Sequence, residues 1–167
     1  ATGLLVICTG KMTKQIDTFQ GQIKEYTGSF VLGSTTPSFD LETEINETFP
    51  TEHITEDLIH KTTQQFIGEI EQIPPVFSAL KKDGKRLYEF ARAGKDVEIK
   101  SRKVNVSEFE ITKINGLNID FKVVCSKGTY IRSLANDFGK ALHSGAHLSQ
   151  LRRTKIGNFQ VTKALTP

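Results

Sequence analysis

The stretch from Val123 to Arg132, Val-Val-Cys-Ser-Lys-Gly-Thr-Tyr-Ile-Arg, constrains the fold more than any other part of the chain. An apolar run stops at Gly128, a residue that can take backbone angles closed to others, and Thr129 stands where an N-cap would open a helix. Downstream, Ile131, Leu134, Ala135, Phe138 and Leu142 recur at helical spacing, so one face of that helix packs into a core. Upstream, Asn115-Gly116 is a hairpin signal, and Leu117, Ile119, Phe121, Val123 and Cys125 share one face of the strand that follows. A buried strand therefore hands Tyr130 and Arg132 to the start of a helix, off its apolar stripe.

The rest of the chain supplies partners for this unit. Lys24 to Gly33 alternates, with Tyr26, Phe30 and Leu32 on one face and Glu25, Thr27 and Ser29 on the other, which predicts a strand. Thr55, then Glu56 and Asp57, then Leu58, Ile59, Thr62, Phe66, Ile67 and Ile70 predict a capped amphipathic helix ended by Ile73-Pro74-Pro75. Leu87, Phe90 and Ala91 before Gly94 predict a short helix, and Val104 to Thr112 a strand bulged where its alternation slips. Hairpin turns among interleaved strands and helices indicate an antiparallel or mixed sheet, so the class is α+β. A chain of 167 residues, 37% apolar, can bury one domain's core. No apolar run approaches the roughly 18 residues that span a bilayer, and no secretory signal opens the sequence. Cys8 and Cys125 lack partner spacing and sit in apolar surroundings, which predicts reduced core thiols and a cytoplasmic protein.

Charge is distributed unevenly. Lys81 to Lys103 holds nine Lys or Arg against four Asp or Glu, and Lys122 to Lys155 holds seven against Asp137 alone, whereas Leu41 to Gln72 has eight acids against Lys61. Charge runs are commonly solvated faces, but two basic blocks flanking one candidate site fit a phosphate backbone better. Other chemistries find no support. Gly10-Lys11 lacks the first glycine of a phosphate loop and has Met12 where Ser or Thr would hold magnesium. His143 and His147 are separated by Gly145, where a helix would end, so they make a poor metal pair. No serine or cysteine has a nucleophile-and-base signature.

Together with Ser144-Gly-Ala-His-Leu-Ser-Gln-Leu-Arg-Arg153, the Gly128–Arg132 block resembles the C-terminal motif of the TruB family of RNA pseudouridine synthases. Other blocks agree in order: Ala1-Thr2-Gly3 through Lys14; Lys24-Glu25-Tyr26 with Leu32-Gly33, Thr36, Ser38 and Asp40; and Pro75, Phe77 to Lys81, Gly84, Leu87-Tyr88 and Ala91-Arg92. The family more often has Thr at Ser38, and the likeness is weakest from Leu41 to about Gln72 and after Thr154. The family's catalytic aspartate lies in a Gly-Thr-Leu-Asp-Pro stretch directly before the Ala-Thr-Gly. The resemblance thus puts the nucleophile upstream of Ala1 and implies a fragment, inactive for want of it.

The resemblance implies a pseudouridine synthase fold over residues 1–167, a mixed, mostly antiparallel sheet flanked by helices, with a basic RNA-gripping thumb at 74–103. It implies isomerisation of the T-loop uridine of tRNA, position 55, without metal or cofactor. Tyr26 would stack on the flipped base, Tyr130 stand beside it, Arg132 pair with the aspartate and otherwise lack a partner, and Leu151 wall the pocket. From their apolar neighbours alone, Tyr26, Tyr130 and Leu151 also read as core residues. Lys24, Lys81, Lys85, Arg86, Arg92, Lys127, Arg152 and Arg153 are the candidate RNA contacts. The partner would be the T-arm, engaged by a monomer away from membranes. A non-catalytic RNA-binding or RNA-folding module, or a guide-directed rRNA pseudouridine synthase subunit, shares these motifs.

Overall fold

The computed structural model describes residues 1–166. Its strands are β1 (Thr2–Gly3), β2 (Lys24–Leu32), β3 (Ser34–Thr35), β4 (Glu47–Thr48), β5 (Gly68–Gln72) and β6 (Lys81–Lys82). They continue with β7 (Lys85–Arg86), β8 (Arg102–Asn115), β9 (Asn118–Cys125), β10 (Ala146–Ile156) and β11 (Phe159–Gln160). The α-helices are α1 (Ile16–Gln20), α2 (Glu56–Thr62), α3 (Leu87–Arg92) and α4 (Ile131–Ala141). The main sheet runs β1-β10-β2-β9-β8-β5, with β11 on β10; only the β1–β10 pairing is parallel. The expected mixed, mostly antiparallel sheet is what forms.

One face of this sheet holds the core. Phe30 of β2, Phe109 and Ile111 of β8, and Ile119, Phe121 and Val123 of β9 pack against Leu134, Ala135 and Phe138 of α4. Phe30 stacks at 4.4 Å from Phe121 and 5.9 Å from Phe138, centroid to centroid. The alternation read in β2 and β9 is the reason: every second side chain reaches the same layer. Leu117, counted with that stripe, lies instead in the exposed hairpin turn. Strand β8 carries bulges at Ser107 and Thr112, where its pattern slips.

Two expectations fail locally. The helix opened by Thr55, whose hydroxyl accepts a hydrogen bond from Leu58 N at 3.2 Å, ends at Thr62 with a 3₁₀ turn to Phe66. Ile70 is not helical: it pairs with Val104 as part of β5, because strand addition at the sheet edge outweighs helical spacing. Thr129 is not the N-cap of α4. Tyr130 holds that position, and the Thr129 hydroxyl turns back to donate to Ser126 O at 2.8 Å. Gln72 substitutes for a cap. Fully buried at the end of β5, it accepts from Tyr130 N at 3.0 Å and donates to Tyr130 O at 3.3 Å.

Cys8 is half-buried rather than core, but Cys125 is enclosed. Burial pushes the Cys125 thiol up from 9.0 to about 11, against weaker pulls from Thr129 and Lys24. The unfolded thiol ionises first as pH rises, so stability is full below about pH 9 and falls between about pH 9 and 11, by about 2 kcal/mol. Urea unfolding at about pH 8 and about pH 10.5 should show this loss, and Cys125→Ala should remove that part of the slope.

Candidate active site

Three pieces of backbone bring the candidate side chains together. Strand β10 lies between β1 and β2, with Leu151 opposite Gly28, Arg152 opposite Thr27 and Arg153 opposite Tyr26. Directly paired residues project from the same face, so Tyr26, Leu151 and Arg153 share the face that α4 covers, while Arg152 points from the other. Tyr26 and Leu151 pack against the edge of the core. Both line a pocket of about 410 Å³ with Arg153 and Ala1 to Leu5. An adjoining pocket of about 310 Å³ also contains Ala1 and Leu151 and adds Arg132, Asp40 and Gln150. Arg132 and Tyr26 thus flank one amino-terminal segment from two sides.

Arg132 is not left without a carboxylate partner, contrary to the sequence-based expectation. Its Nη1 lies 3.7 Å from Asp40 Oδ2 and donates to Ser38 O at 3.4 Å, with both side chains largely covered. The chain between them turns sharply at Phe39, which has φ 66°, and Phe39 O accepts from Leu148 N at 2.8 Å. That turn swings Asp40 back over the start of α4. The second carboxylate oxygen accepts from Ser38 Oγ at 2.6 Å and from Glu42 N at 3.0 Å. Asp40 is held independently of Arg132, so it can orient the guanidinium, and further donors of the fork stay available to another anion. The motif containing Asp40 is visible in the sequence; its contact with a residue 92 positions away is not.

The remaining candidates separate. Tyr130 lines neither pocket described above: its ring carries the Arg102 guanidinium at 5.8 Å, and Gln72 fixes its backbone. Lys24 is beside the Tyr26 pocket, its ammonium donating to Gln20 O. Burial lowers its pKa, helped by the charges of Arg153 and Lys127. Lys127 is exposed in the turn before α4. Lys81, Lys85 and Arg86 decorate the β6–β7 hairpin, and Arg86 and Arg92 lie 5.9 and 5.1 Å from the Tyr88 ring. Arg92 also meets Glu42 at 3.7 Å, an exposed pair of small energetic weight. Arg152 is exposed, 3.5 Å from Thr2 Oγ1. Residues missed by sequence reasoning are the buried Gln72 and the half-buried Arg102, since contacts of this kind carry no spacing signature. Among the described residues no group of three or more His, Cys, Asp or Glu could hold a metal, and no helix is long and apolar enough to cross a membrane.

Comparison with known proteins decides the family. Residues 1–131 match the model of the TruB family pseudouridylate synthase N-terminal domain. This chain belongs to that family. Residues 132–166 match the tRNA pseudouridylate synthase B C-terminal domain, with the division falling at Arg132. The chain is 68% identical over 165 residues to the tRNA pseudouridine synthase B of Flavobacterium johnsoniae, covering 99% of this chain and 72% of that protein. It is 56% identical over 166 residues to the tRNA pseudouridine synthase B of Phocaeicola vulgatus, covering 99% and 71%. Among solved structures, a chain of a Cbf5-Nop10-Gar1 complex superposes with a TM-score of 0.68 at 30% identity, covering 95% of this chain and 37% of that one. A chain of an H/ACA RNP bound to a substrate RNA containing 2'-deoxyuridine gives 0.62 at 27% identity, covering 92% and 34%. The chain thus spans about a third of those two solved chains. The fold is that of the TruB-family pseudouridine synthases.

Proposed function

We propose that the protein is a tRNA pseudouridine synthase that isomerises the T-loop uridine at position 55. The supporting observation is the convergence of Arg132, Tyr26 and Leu151 on Ala1, beside the place the resemblance gives the nucleophilic aspartate. Isomerisation breaks the bond from uracil N1 to ribose, turns the base and rejoins it through C5, so the protein must hold a detached base in place. Extracting the uridine from its stack costs a few kcal/mol, and stacking on Tyr26 would return about 1 to 3 kcal/mol. Leu151 walls the base, Arg132 keeps the aspartate ionised and aimed, and Asp40 keeps Arg132 in place. These roles need no metal or cofactor. Tyr130 acts at the margin, stiffening the start of α4.

Residues 74–103 serve as the thumb that grips the T-arm, with Lys81, Lys85, Arg86 and Arg92 on phosphates and Lys24, Lys127 and Arg152 nearer the target. The protein acts as a monomer in the cytoplasm. Affinity for a T-arm RNA should fall steeply with salt, and replacing Lys85 and Arg86 together by alanine should flatten the log–log slope by about 1 to 2. An unchanged slope would remove the hairpin from the interface. The guide-directed and non-catalytic readings are disfavoured by 68% identity to a tRNA enzyme against 30% to the Cbf5-Nop10-Gar1 chain. The intact protein, including the Gly-Thr-Leu-Asp-Pro stretch, should release tritium from T-arm RNA labelled at uridine C5 without a guide RNA. No release in the presence of bound RNA would overturn the proposal.

A further inference from the structure

Arg153 is joined to two parts of the site at once. Its side-chain Nε donates to Leu4 O at 2.8 Å, and its backbone carbonyl accepts from Leu4 N at 2.8 Å. Residue and segment are thereby closed into one ring. Gly3, at φ 107°, lies so near that a Cβ there would be 2.2 Å from Arg153 O, so the approach admits no side chain. Across the sheet Arg153 pairs with Tyr26, and both line the same pocket. Among the described residues no carboxylate lies within ion-pair distance of Arg153. With Nε used on Leu4, the two terminal nitrogens remain for other partners.

The groups facing the Tyr26 phenol are Arg153 from β10 and Cys125 from β9, with Ala1 along the pocket. Burial pushes that phenol above its usual pKa, and the neighbouring Arg153 guanidinium pulls it back. Arg152, one residue away, projects from the opposite face and can do neither.

We propose that Arg153 is a positioning residue of the isomerisation site, binding the Tyr26 phenol to the Gly3–Leu4 segment so that the base platform and the amino-terminal strand hold one geometry. This rests on the pseudouridine synthase reading for its consequence in catalysis, but its structural half does not. A phosphate contact would move RNA affinity. A positioning residue moves the phenol and the rate.

The test has two arms, both on the intact protein. Without RNA, the absorbance titration of Tyr26 is isolated as the difference from Tyr26→Phe, which cancels Tyr88, Tyr130 and any tyrosine outside residues 1–167. Arg153→Gln should raise the Tyr26 midpoint by about half a unit or more, Arg153→Lys should largely restore it, and Arg152→Gln should not move it. With T-arm RNA, Arg153→Gln should slow the single-turnover rate about tenfold while changing Kd less than about threefold. An unmoved midpoint overturns the proposal whatever the enzyme does, and so does a loss carried wholly by Kd. If Arg153→Gln fails to fold, the split between rate and Kd is read on Arg153→Lys, which keeps the charge but not the Nε contact.

Discussion

Replacing Arg132 by alanine is expected to slow single-turnover isomerisation of T-arm RNA by at least tenfold to a hundredfold, with RNA affinity nearly unchanged. A charge-assisted hydrogen bond contributes about 1.5 to 3 kcal/mol, and each 1.36 kcal/mol is tenfold in rate. The loss has two sources. On the proposed reading, removing the guanidinium strips the nucleophile of its cation; it also leaves Asp40 with one carboxylate oxygen facing no cation. Arg132→Lys should recover little, because an ammonium cannot reach Ser38 O and two carboxylates in one planar fork. Asp40→Asn should fall between alanine and wild type: the neutral amide keeps the shape of the loop but loses the charge that aims Arg132. Single-turnover rates with Kd measured separately decide among these outcomes. A Arg132→Ala loss confined to Kd would assign the guanidinium to a phosphate.

Gly28→Ala should strongly destabilise the fold. A Cβ at Gly28 would lie 2.1 Å from Gln150 O and 2.9 Å from the Phe121 ring. The first neighbour is backbone on the paired strand and cannot rotate away. Overpacking of this kind costs about 1 to 3 kcal/mol or more, which in a chain of this size lowers Tm by about 2 to 12 °C. Activity should fall beyond what stability explains, because Leu151 is the residue opposite Gly28 and would move with β10. Thermal melts and rates at a temperature where the variant stays folded separate the two effects.

Much of this could be read in the chain wherever one physical pattern dominated. Strand β2, the β8–β9 hairpin at Asn115-Gly116, strand β9 and helix α4 each keep a clean period over their length, and each lies where the period predicts. Strand β10 hid itself, since bulges at Ser149 and Thr154 break its alternation twice and its centre is polar. Without that strand Arg152 and Arg153 look equivalent. On it, successive residues face opposite sides, and only Arg153 shares a face with Tyr26. The contact of Arg132 with Asp40 and the Gln72 clamp on Tyr130 depend on long-range closure, which spacing along the chain does not encode. The site motifs were legible, but the partners that hold them were not.

On the proposed reading, Arg132 and Tyr26 serve one catalytic pocket beside the amino-terminal segment. A crystal structure of the intact protein on T-arm RNA tests it directly. An aspartate within about 4 Å of the Arg132 guanidinium, with the uracil of position 55 lying on the Tyr26 ring, is the expected result. Arg132 bound to a phosphate, with Tyr26 shut away from any base, would contradict it.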